Sequence, residues 1–380
     1  MINNITTIGI VGGGQLGKMM ILDAKRLGFK IVTLDPSPDC PCASISDELI
    51  IADFNDAQAY TELAKKSDVI TYEFEHINAA HLENIEREGA KIFPSVASLK
   101  IIQDKFTQKC ALADAAILVP VFEKIESLAD LQNYYAKNPK PFMLKARCGG
   151  YDGKGNFLVK SEEQIAEGFD ALGGKMLMVE ELIQFTRELS VIATRSQSGE
   201  IAVFPIAENI HKDSILDTTT VPASEIDGAL HDKIFAVAKK VMDCFKGVGT
   251  FCVELFIDDA NGTVWVNEVA PRVHNSGHYT IEACRVSQFE NHIRAIVGLG
   301  LGSIELVVGG VIMKNIIGKT SAKASYTGVE EAYRISPNLN MHIYGKTKSA
   351  KGRKMGHFTV TGDSVEEVKV VFGEVMIASI

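Results

Sequence analysis

The sequence predicts a mixed α/β and α+β fold in three parts. Residues 1–100 alternate short apolar runs rich in Ile and Val with helical stretches. That alternation specifies a parallel sheet covered by helices on both faces. Residues 101–300 open with helical sequence and become strand-rich, with Asn261-Gly262 between two long β runs. Asn-Gly in that setting is a strong hairpin signal. Residues 301–380 mix short strands with a basic stretch, "YGKTKSAKGRKMGH", and read as a small C-terminal domain.

The first β run, "TTIGIVG", leads through Gly12-Gly13-Gly14-Gln15-Leu16-Gly17 into a helix over Leu16–Leu27. Gly12, Gly14 and Gly17 have the GxGxxG spacing of a dinucleotide-binding turn. Asp35 closes the next run, "FKIVTLD", about where an acidic residue would hold a ribose. The runs "DELIIADF", "SDVITYEFE" and "AKIFPS" continue the sheet, with a helix at Ala57–Lys66. Such sheets bind ligands at the carboxyl ends of their strands, which puts Gly12–Gly17, Asp35 and Glu73 on one edge. In the middle region "PFMLKA", "NFLVK", "KMLMVEEL", "ELSVIATR" and "IAVFPIAENIH" precede a helix over Ala229–Phe245. The hairpin strands are "GTFCVELFID" and "TVWVNEVAPR".

Composition narrows the function. The chain has 380 residues, 46% hydrophobic and 23% charged, the balance of an ordinary globular protein. A net charge of -9 argues against nucleic acid as a partner, because phosphate backbones require a basic surface. The N-terminus shows no basic and apolar leader pattern, and no apolar stretch reaches membrane-spanning length. Seven scattered cysteines read as reduced thiols of a cytoplasmic protein, and Cys40-Pro-Cys42 lacks the second pair a zinc site needs.

Three constellations carry chemistry. In "FMLKARCGGYDGKGN" a strand delivers Lys145 into a loop with Gly149, Gly150, Gly153 and Gly155. Glycines let backbone N–H groups approach phosphate oxygens closely, and the lysine adds a point charge. The alternative is a glycine-rich surface hairpin with Lys145 in solvent. A Walker A motif is excluded, because no Gly-Lys-Ser/Thr follows. The second constellation is Glu254 and Glu268, which mirror each other about Asn261 and therefore sit opposite or within one residue of it. Opposed like charges repel, and an unpaired buried charge is costly. Mg²⁺ between them satisfies both, with Asn267 as a further oxygen donor; a nearby Lys or Arg is the alternative. The third is "NEVAPRVHNSGHYT", which packs Arg272, His274, Asn275, Ser276 and His278 into one loop too polar to be core. The alternative there is a satisfied structural histidine. Lys346, Lys351, Arg353 and Lys354 read mostly as a solvated loop, with one or two suited to a substrate phosphate.

Glycine loop, strand lysine and paired carboxylates together describe an ATP·Mg site, and they resemble the ATP-grasp superfamily. The strings "GGGQLGKMM", "GGYDGKG", "VNEVAPRVHNSGHYT" and "GRKMGH" are similar to the family of bicarbonate-using 5-(carboxyamino)imidazole ribonucleotide synthetases, in one order from about residue 8 to 360. The resemblance implies an ATP-grasp fold: an N-terminal pre-ATP-grasp, Rossmann-like substrate domain (1–100), an ATP-grasp domain (101–300, lid at about 110–185) and a C-terminal domain (301–380) that completes the substrate site. It implies ATP and Mg²⁺, with Mn²⁺ as a substitute, neither NAD nor biotin, small-molecule substrates, no membrane, and a homodimer.

Carried over residue by residue, it assigns Lys105 and Lys145 to the ATP phosphates. Gly150, Tyr151, Asp152, Gly153, Lys154, Gly155 and Asn156 form the lid over them. Glu180, Glu181, Leu182 and Ile183 go to adenine, Glu188 to ribose, His211 to the nucleotide side, and Glu254 and Glu268 to metal, with Asn267 beside them. Gly14, Gln15, Leu16, Ser276, Lys346 and Arg353 surround the ribonucleotide. Glu73, Tyr151, Asp152, Lys154, Arg272, His274 and Asn275 lie near the reacting amine and bicarbonate. The first glycine turn then holds the substrate's 5′-phosphate at a helix N-terminus, and Asp35 is structural. The family's lid often reads Tyr-Asp-Gly-Arg-Gly. Lys154 here keeps the charge and loses the bidentate fork. The competing readings are a formate-using, glycinamide ribonucleotide transformylase-like ligase, an NAD-dependent oxidoreductase, and a nucleotide-binding regulator without turnover.

Overall fold

The computed structural model describes residues 5–150 and 155–379. The chain opens on β1 (Thr7–Val11) and passes through the glycine turn into α1 (Gln15–Arg26). β2 (Lys30–Asp35), β3 (Glu48–Ile51), α2 (Ala57–Lys66) and β4 (Val69–Tyr72) follow. The strands pair in parallel in the order β3-β2-β1-β4. Strands covered on both faces need near-continuous apolar runs, and Ile8, Ile10, Val11, Ile31, Leu34 and Val69 are fully buried. The run "AKIFPS" departs from expectation. Ile92 makes one isolated bridge to Ile70, and Pro94, with no N–H to donate, cannot extend the ladder.

α3 (Ala79–Arg87) and α4 (Val96–Ile102) start at Asn78 and Ser95, whose side chains cap the first turns. α5 (Lys105–Asp114) starts in the same way at Asp104. A four-stranded antiparallel sheet follows, built from β5 (Phe122–Ile125), β6 (Phe142–Ala146), β7 (Asn156–Val159) and β8 (Leu177–Glu181) in the order β5-β8-β6-β7. Helices α6 (Leu128–Lys137) and α7 (Ile165–Ala171) cover one face, where Phe142, Leu144, Leu177 and Val179 pack with Leu131 and Ile165. Strand alternation turns Met143, Lys145 and Glu180 to the other face.

The large sheet comprises β9 (Arg187–Arg195), β10 (Ile201–Val203), β11 (Ala207–Lys212), β12 (Ile215–Val221), then, after α8 (Gly228–Phe245), β13 (Gly249–Asp258) and β14 (Thr263–Ala270). Helices α9 (Thr280–Ala283) and α10 (Gln288–Ile296) lead to β15 (Gly310–Ile317). The C-terminal residues add β16 (Ala322–Lys323), β17 (Tyr326–Thr327), α11 (Val329–Ile335), β18 (Leu339–Ile343), β19 (Lys348–Ser349), β20 (Lys354–Gly362), α12 (Val365–Glu374) and β21 (Ala378–Ser379). The order is β14-β13-β9-β11-β12-β15-β20-β18, with β10 on β9. Strands β15, β20 and β18 thus continue the sheet of the middle region instead of building one of their own. His292 of α10 ties this sheet to the parallel one: its Nε2 lies 2.8 Å from Thr71 Oγ1, and Nδ1 accepts the Thr250 N–H at 3.0 Å.

Candidate active site

A cavity of about 810 Å³ opens where the four-stranded sheet, the large sheet and the carboxyl edge of the parallel sheet meet. That volume is in the range of ligand pockets. Its most distinctive wall is the β13–β14 hairpin, where Glu254 pairs directly with Glu268. The register then slips by one, from Glu254↔Glu268 to Leu255↔Val266, and Asn267 is the extra residue. A bulge re-aims side chains next to a site, and here Asn267 and Glu268 both line the cavity with Glu254. Burial first, and then Glu268 opposite, push the Glu254 carboxyl up to about 7. Oδ1 of Asn267 is buried with no hydrogen-bond partner. Two carboxylates and an orphaned amide oxygen on paired strands fit a small, hard divalent cation. Gln108 fastens this edge strand, its Nε2 donating to Val269 O at 3.0 Å and its Oε1 accepting the Val269 N–H at 2.8 Å.

Three lysines and a histidine pair with carboxylates around the cavity. Asp104 accepts the N–H groups of Phe106 and Thr107 at 2.9 and 3.1 Å, which starts α5 and sets Lys105 at its head. Lys105 pairs with Glu268. Burial would lower its pKa, but Glu268 outweighs burial and raises it. Lys145 meets Glu180 Oε1 at 2.7 Å, and Lys109 meets Oε2 at 2.8 Å. Burial pulls Lys109 down to about 8. The two lysines overcome burial at Glu180 and hold it below the usual carboxylate range. His211 Nδ1 lies 2.7 Å from Glu188 Oε2, which raises the imidazole against the opposing effect of burial. Glu181, Leu182, Ile183, Phe185 and Phe256 line the same end.

The glycine turn differs from a bare anion cradle. The Gly13 N–H donates to Asp35 Oδ2 at 2.7 Å and the Gly17 N–H to Glu73 Oε2 at 2.8 Å, while the Gly14 N–H takes Glu73 Oε1. Those amides, which a helix start offers to an anion, are met from inside the chain. Gln15 and Leu16 are the turn residues that line the cavity. At Gly12, φ is +98° and a Cβ would come within 2.5 Å of Glu73 Cγ, so only glycine fits. Asp35 also accepts the Ser37 N–H at 2.8 Å, so it shapes the turn and is not left for a ribose.

The loop after β14 supplies the remaining wall. Arg272 forks onto Glu75, with Nη2 to Oε1 at 2.9 Å and Nε to Oε2. Burial would raise the Glu75 carboxyl, but Arg272 outweighs it and holds the group at about 2. His274 places Nδ1 3.0 Å from Ser276 Oγ and Nε2 3.4 Å from Glu254 Oε1. Burial first, then Arg272, keep it well below its ordinary pKa and hence neutral. Asn275 donates to Asn315 Oδ1 at 3.0 Å.

The structure thus brings Gln15, Leu16, Glu73, Lys105, Lys145, Gly150, Asn156, Glu180, Glu181, Leu182, Ile183, Glu188, His211, Glu254, Asn267, Glu268, Arg272, His274 and Asn275 around one cavity. Gly14, Gly155 and Ser276 lie behind it: the Gly155 carbonyl accepts the Ala146 N–H, and Ser276 sits beneath His274. Lys346 and Arg353 do not line it. Lys346 donates to Lys354 O at 2.7 Å, and exposed Arg353 donates to Lys348 O at 2.7 Å. Lys354 lines the cavity instead. Tyr151, Asp152, Gly153 and Lys154 lie outside the described residues. Glu75, Lys109 and Gln108 went unremarked in the sequence. The one available signal was Glu75 itself, two residues after Glu73 on the strand-end edge.

Comparison with known proteins settles the family. The chain is 41% identical over 364 residues, 96% of its own length and 94% of the other's, to N5-carboxyaminoimidazole ribonucleotide synthase of Staphylococcus aureus. The chain belongs to the N5-carboxyaminoimidazole ribonucleotide synthase family. Residues 5–103 match the ribonucleotide synthetase preATP-grasp domain, 110–289 the ATP-grasp domain, and 311–370 the phosphoribosylaminoimidazole carboxylase C-terminal domain. Among solved N5-carboxyaminoimidazole ribonucleotide synthetases, that of Thermotoga maritima superposes with a TM-score of 0.89 at 40% identity, covering 99% of each chain. The synthase of Aspergillus clavatus, in complex with ADP and 5-aminoimidazole ribonucleotide, gives 0.90 at 34% identity and 98% of each chain. No helix among the described residues is long and apolar enough to cross a membrane.

Proposed function

We propose that this chain is an ATP-dependent ligase. It joins bicarbonate to the exocyclic amine of 5-aminoimidazole ribonucleotide, giving N5-carboxyaminoimidazole ribonucleotide, ADP and phosphate in de novo purine synthesis. The observation that carries the reading is one cavity lined together by the Glu254–Glu268 pair, Asn267, Lys105, Lys145 and the glycine-turn residues Gln15 and Leu16. Seven free cysteines suit a reducing, cytoplasmic compartment, and the family resemblance implies a homodimer.

In this reading Lys105 and Lys145 neutralise the nucleotide phosphates, and the segment from Gly150 to Asn156 covers them. Glu180 orients Lys145, while Glu181 to Ile183 border the adenine and Glu188 the ribose, with His211 beside it. Glu254, Glu268 and Asn267 would hold Mg²⁺, or Mn²⁺ in its place, which would offset phosphate charge. Bicarbonate oxygen attacks the γ-phosphorus, ADP leaves, and carboxyphosphate forms. Positioning and charge neutralisation supply most of the catalysis, as in other phosphoryl transfers. Arg272, held by Glu75, faces the developing negative charge. The amine then attacks the carboxyl carbon of carboxyphosphate and expels phosphate, or adds to CO₂ after carboxyphosphate has released phosphate, and its proton goes to neutral His274 or to Asp152. Tyr151, Lys154, Glu73 and Asn275 border the reacting groups. Gln15, Leu16 and Lys354 face the ribonucleotide, with Lys346, Arg353, Gly14 and Ser276 supporting that end.

The test is phosphate release from MgATP and bicarbonate, with and without the ribonucleotide. Strong stimulation by the ribonucleotide, lost when formate replaces bicarbonate, supports the reading. Stimulation by formate with glycinamide ribonucleotide would favour the formyl-transferring alternative.

A further inference from the structure

We propose that Cys252, Glu254 and His274 form a second metal site, for Zn²⁺ or a similar borderline-soft divalent ion, with Glu254 and His274 lining the same cavity and Cys252 buried behind them. Cys252 and Glu254 are two residues apart on β13, so their side chains leave the same face. Ala270, paired with Cys252, lines the cavity and marks that face. His274 arrives from the loop beyond β14. A thiol sulfur, a carboxylate oxygen and an imidazole nitrogen then lie within 4.8 Å of one another.

The finer geometry suits a metal. The 3.4 Å between His274 Nε2 and Glu254 Oε1 is close to the edge that two ligands make on a tetrahedral zinc with bonds of about 2.0–2.1 Å. Metal-bound histidines hold their second ring nitrogen in an outer hydrogen bond. Without metal, Nδ1 accepts the Ser276 N–H at 3.3 Å; metal on Nε2 moves the ring proton to Nδ1, which donates it to Ser276 Oγ 3.0 Å away, and Ser190 Oγ donates to that same oxygen at 2.8 Å. The same Ser276 oxygen lies 3.7 Å from Cys252 Sγ, so one serine orients two of the three ligands. Thiolate with imidazole selects zinc, while all-oxygen donors select magnesium. The hard set is Glu254, Glu268 and Asn267; the soft set is Cys252, Glu254 and His274. Glu254 belongs to both, so the two ions exclude each other. Zinc binding releases the Cys252 thiol proton to solvent and removes a ligand from the magnesium set. The binding stands apart from the proposed activity; only the inhibition that follows from it rests on that reading.

Cobalt is the probe. The nucleotide-free protein should bind one Co²⁺ with a thiolate-to-cobalt charge-transfer band, displaced by equimolar Zn²⁺ and not by equimolar Mg²⁺. Cys252→Ser should lose the band, and Cys148→Ser, at the exposed cysteine, should keep it. Glu254→Gln, which leaves the thiol in place, should weaken Co²⁺ binding at least tenfold, a second reading should the Cys252 variant not fold. Zn²⁺ should inhibit phosphate release at least tenfold more strongly in the wild type than in Cys252→Ser. No thiolate band in the wild type, a band unchanged by Cys252→Ser, or unaltered affinity in Glu254→Gln overturns the site. A band without any phosphate release would leave the site standing and sink the activity instead.

Discussion

Glu75→Gln probes the electrostatic frame of the cavity. The Glu75 and Arg272 side chains are 13% and 15% exposed and joined by a two-pronged contact. Arg272 holds the carboxyl at about 2, against an ordinary value of 4.5, even though burial works the other way. A drop of about 2.5 pH units, at roughly 1.4 kcal/mol per unit, corresponds to about 3 kcal/mol. Removing one partner of a buried ion pair costs roughly 3–5 kcal/mol, so two independent routes agree. Glutamine keeps the shape and leaves the guanidinium buried without its counter-charge. The folded pKa is depressed, so this stabilisation is complete above pH 4.5 and is lost as pH falls towards about 2. Urea unfolding followed by circular dichroism should therefore separate wild type and variant by about 3 kcal/mol near neutral pH. The two should converge as pH falls through about 2. A separation under about 1 kcal/mol at neutral pH, or one that persists unchanged in acid, would falsify the assignment of Glu75 as the counter-charge of Arg272.

Glu254, raised to about 7, should give nucleotide-free Mn²⁺ affinity that climbs about tenfold per pH unit up to about pH 7 and then levels off, as the bound form requires the carboxylate; a flat profile by electron spin resonance titration would remove Glu254 from the metal set. The same raised pKa makes the stability of the metal-free protein fall as pH rises from 4.5 to about 7, the opposite sign to Glu75 and in a separate window. Glu268→Gln should lower phosphate release by about 10²-fold or more while leaving the melting temperature within a few degrees, and unchanged turnover would contradict the metal assignment. Gly14→Ala places a Cβ 2.3 Å from Glu73 Oε1. It should destabilise by about 1–3 kcal/mol and raise KM for the ribonucleotide with little change in KM for ATP; an equal rise in both would show that the turn serves the whole cavity.

What the sequence reveals follows the distance over which each feature is encoded. Parallel strands covered on both faces write continuous apolar runs, so β1 to β4 were legible, and α2 spans Ala57–Lys66 as its periodicity indicates. The Glu254–Glu268 pairing was legible because a hairpin is local and its register can be counted from the turn. The bulge at Asn267 was not, since a one-residue slip leaves no periodic trace. Glu75 and Arg272 meet across 197 positions, and Lys109 and Gln108 act through side chains on an otherwise ordinary helix. Nothing local marks such partners. Lys354 was passed over for Arg353 because their roles depend on where β20 starts. The strand begins at Lys354, which faces inward, while Arg353 stays in the exposed loop.

Two glutamates in the same cavity, Glu75 and Glu254, are both enclosed, yet one is held at about 2 and the other pushed to about 7. The difference is the partner. Glu75 has a guanidinium, Glu268 has Lys105, Glu180 has two lysines and Glu188 has His211. Glu254 faces His274 at 3.4 Å, an imidazole kept neutral by burial and by Arg272. These four pairs each hold their positive groups on a carboxylate other than Glu254, which His211 and Lys105 relieve only through space, so an arriving cation meets an incompletely compensated carboxylate there. Glu268 is the complementary case, because an ion drawn to it competes with the Lys105 ammonium. Under the proposed reaction, a divalent ion that takes over Glu268 frees Lys105 for the nucleotide phosphates, so metal and nucleotide favour each other's binding through one shared carboxylate.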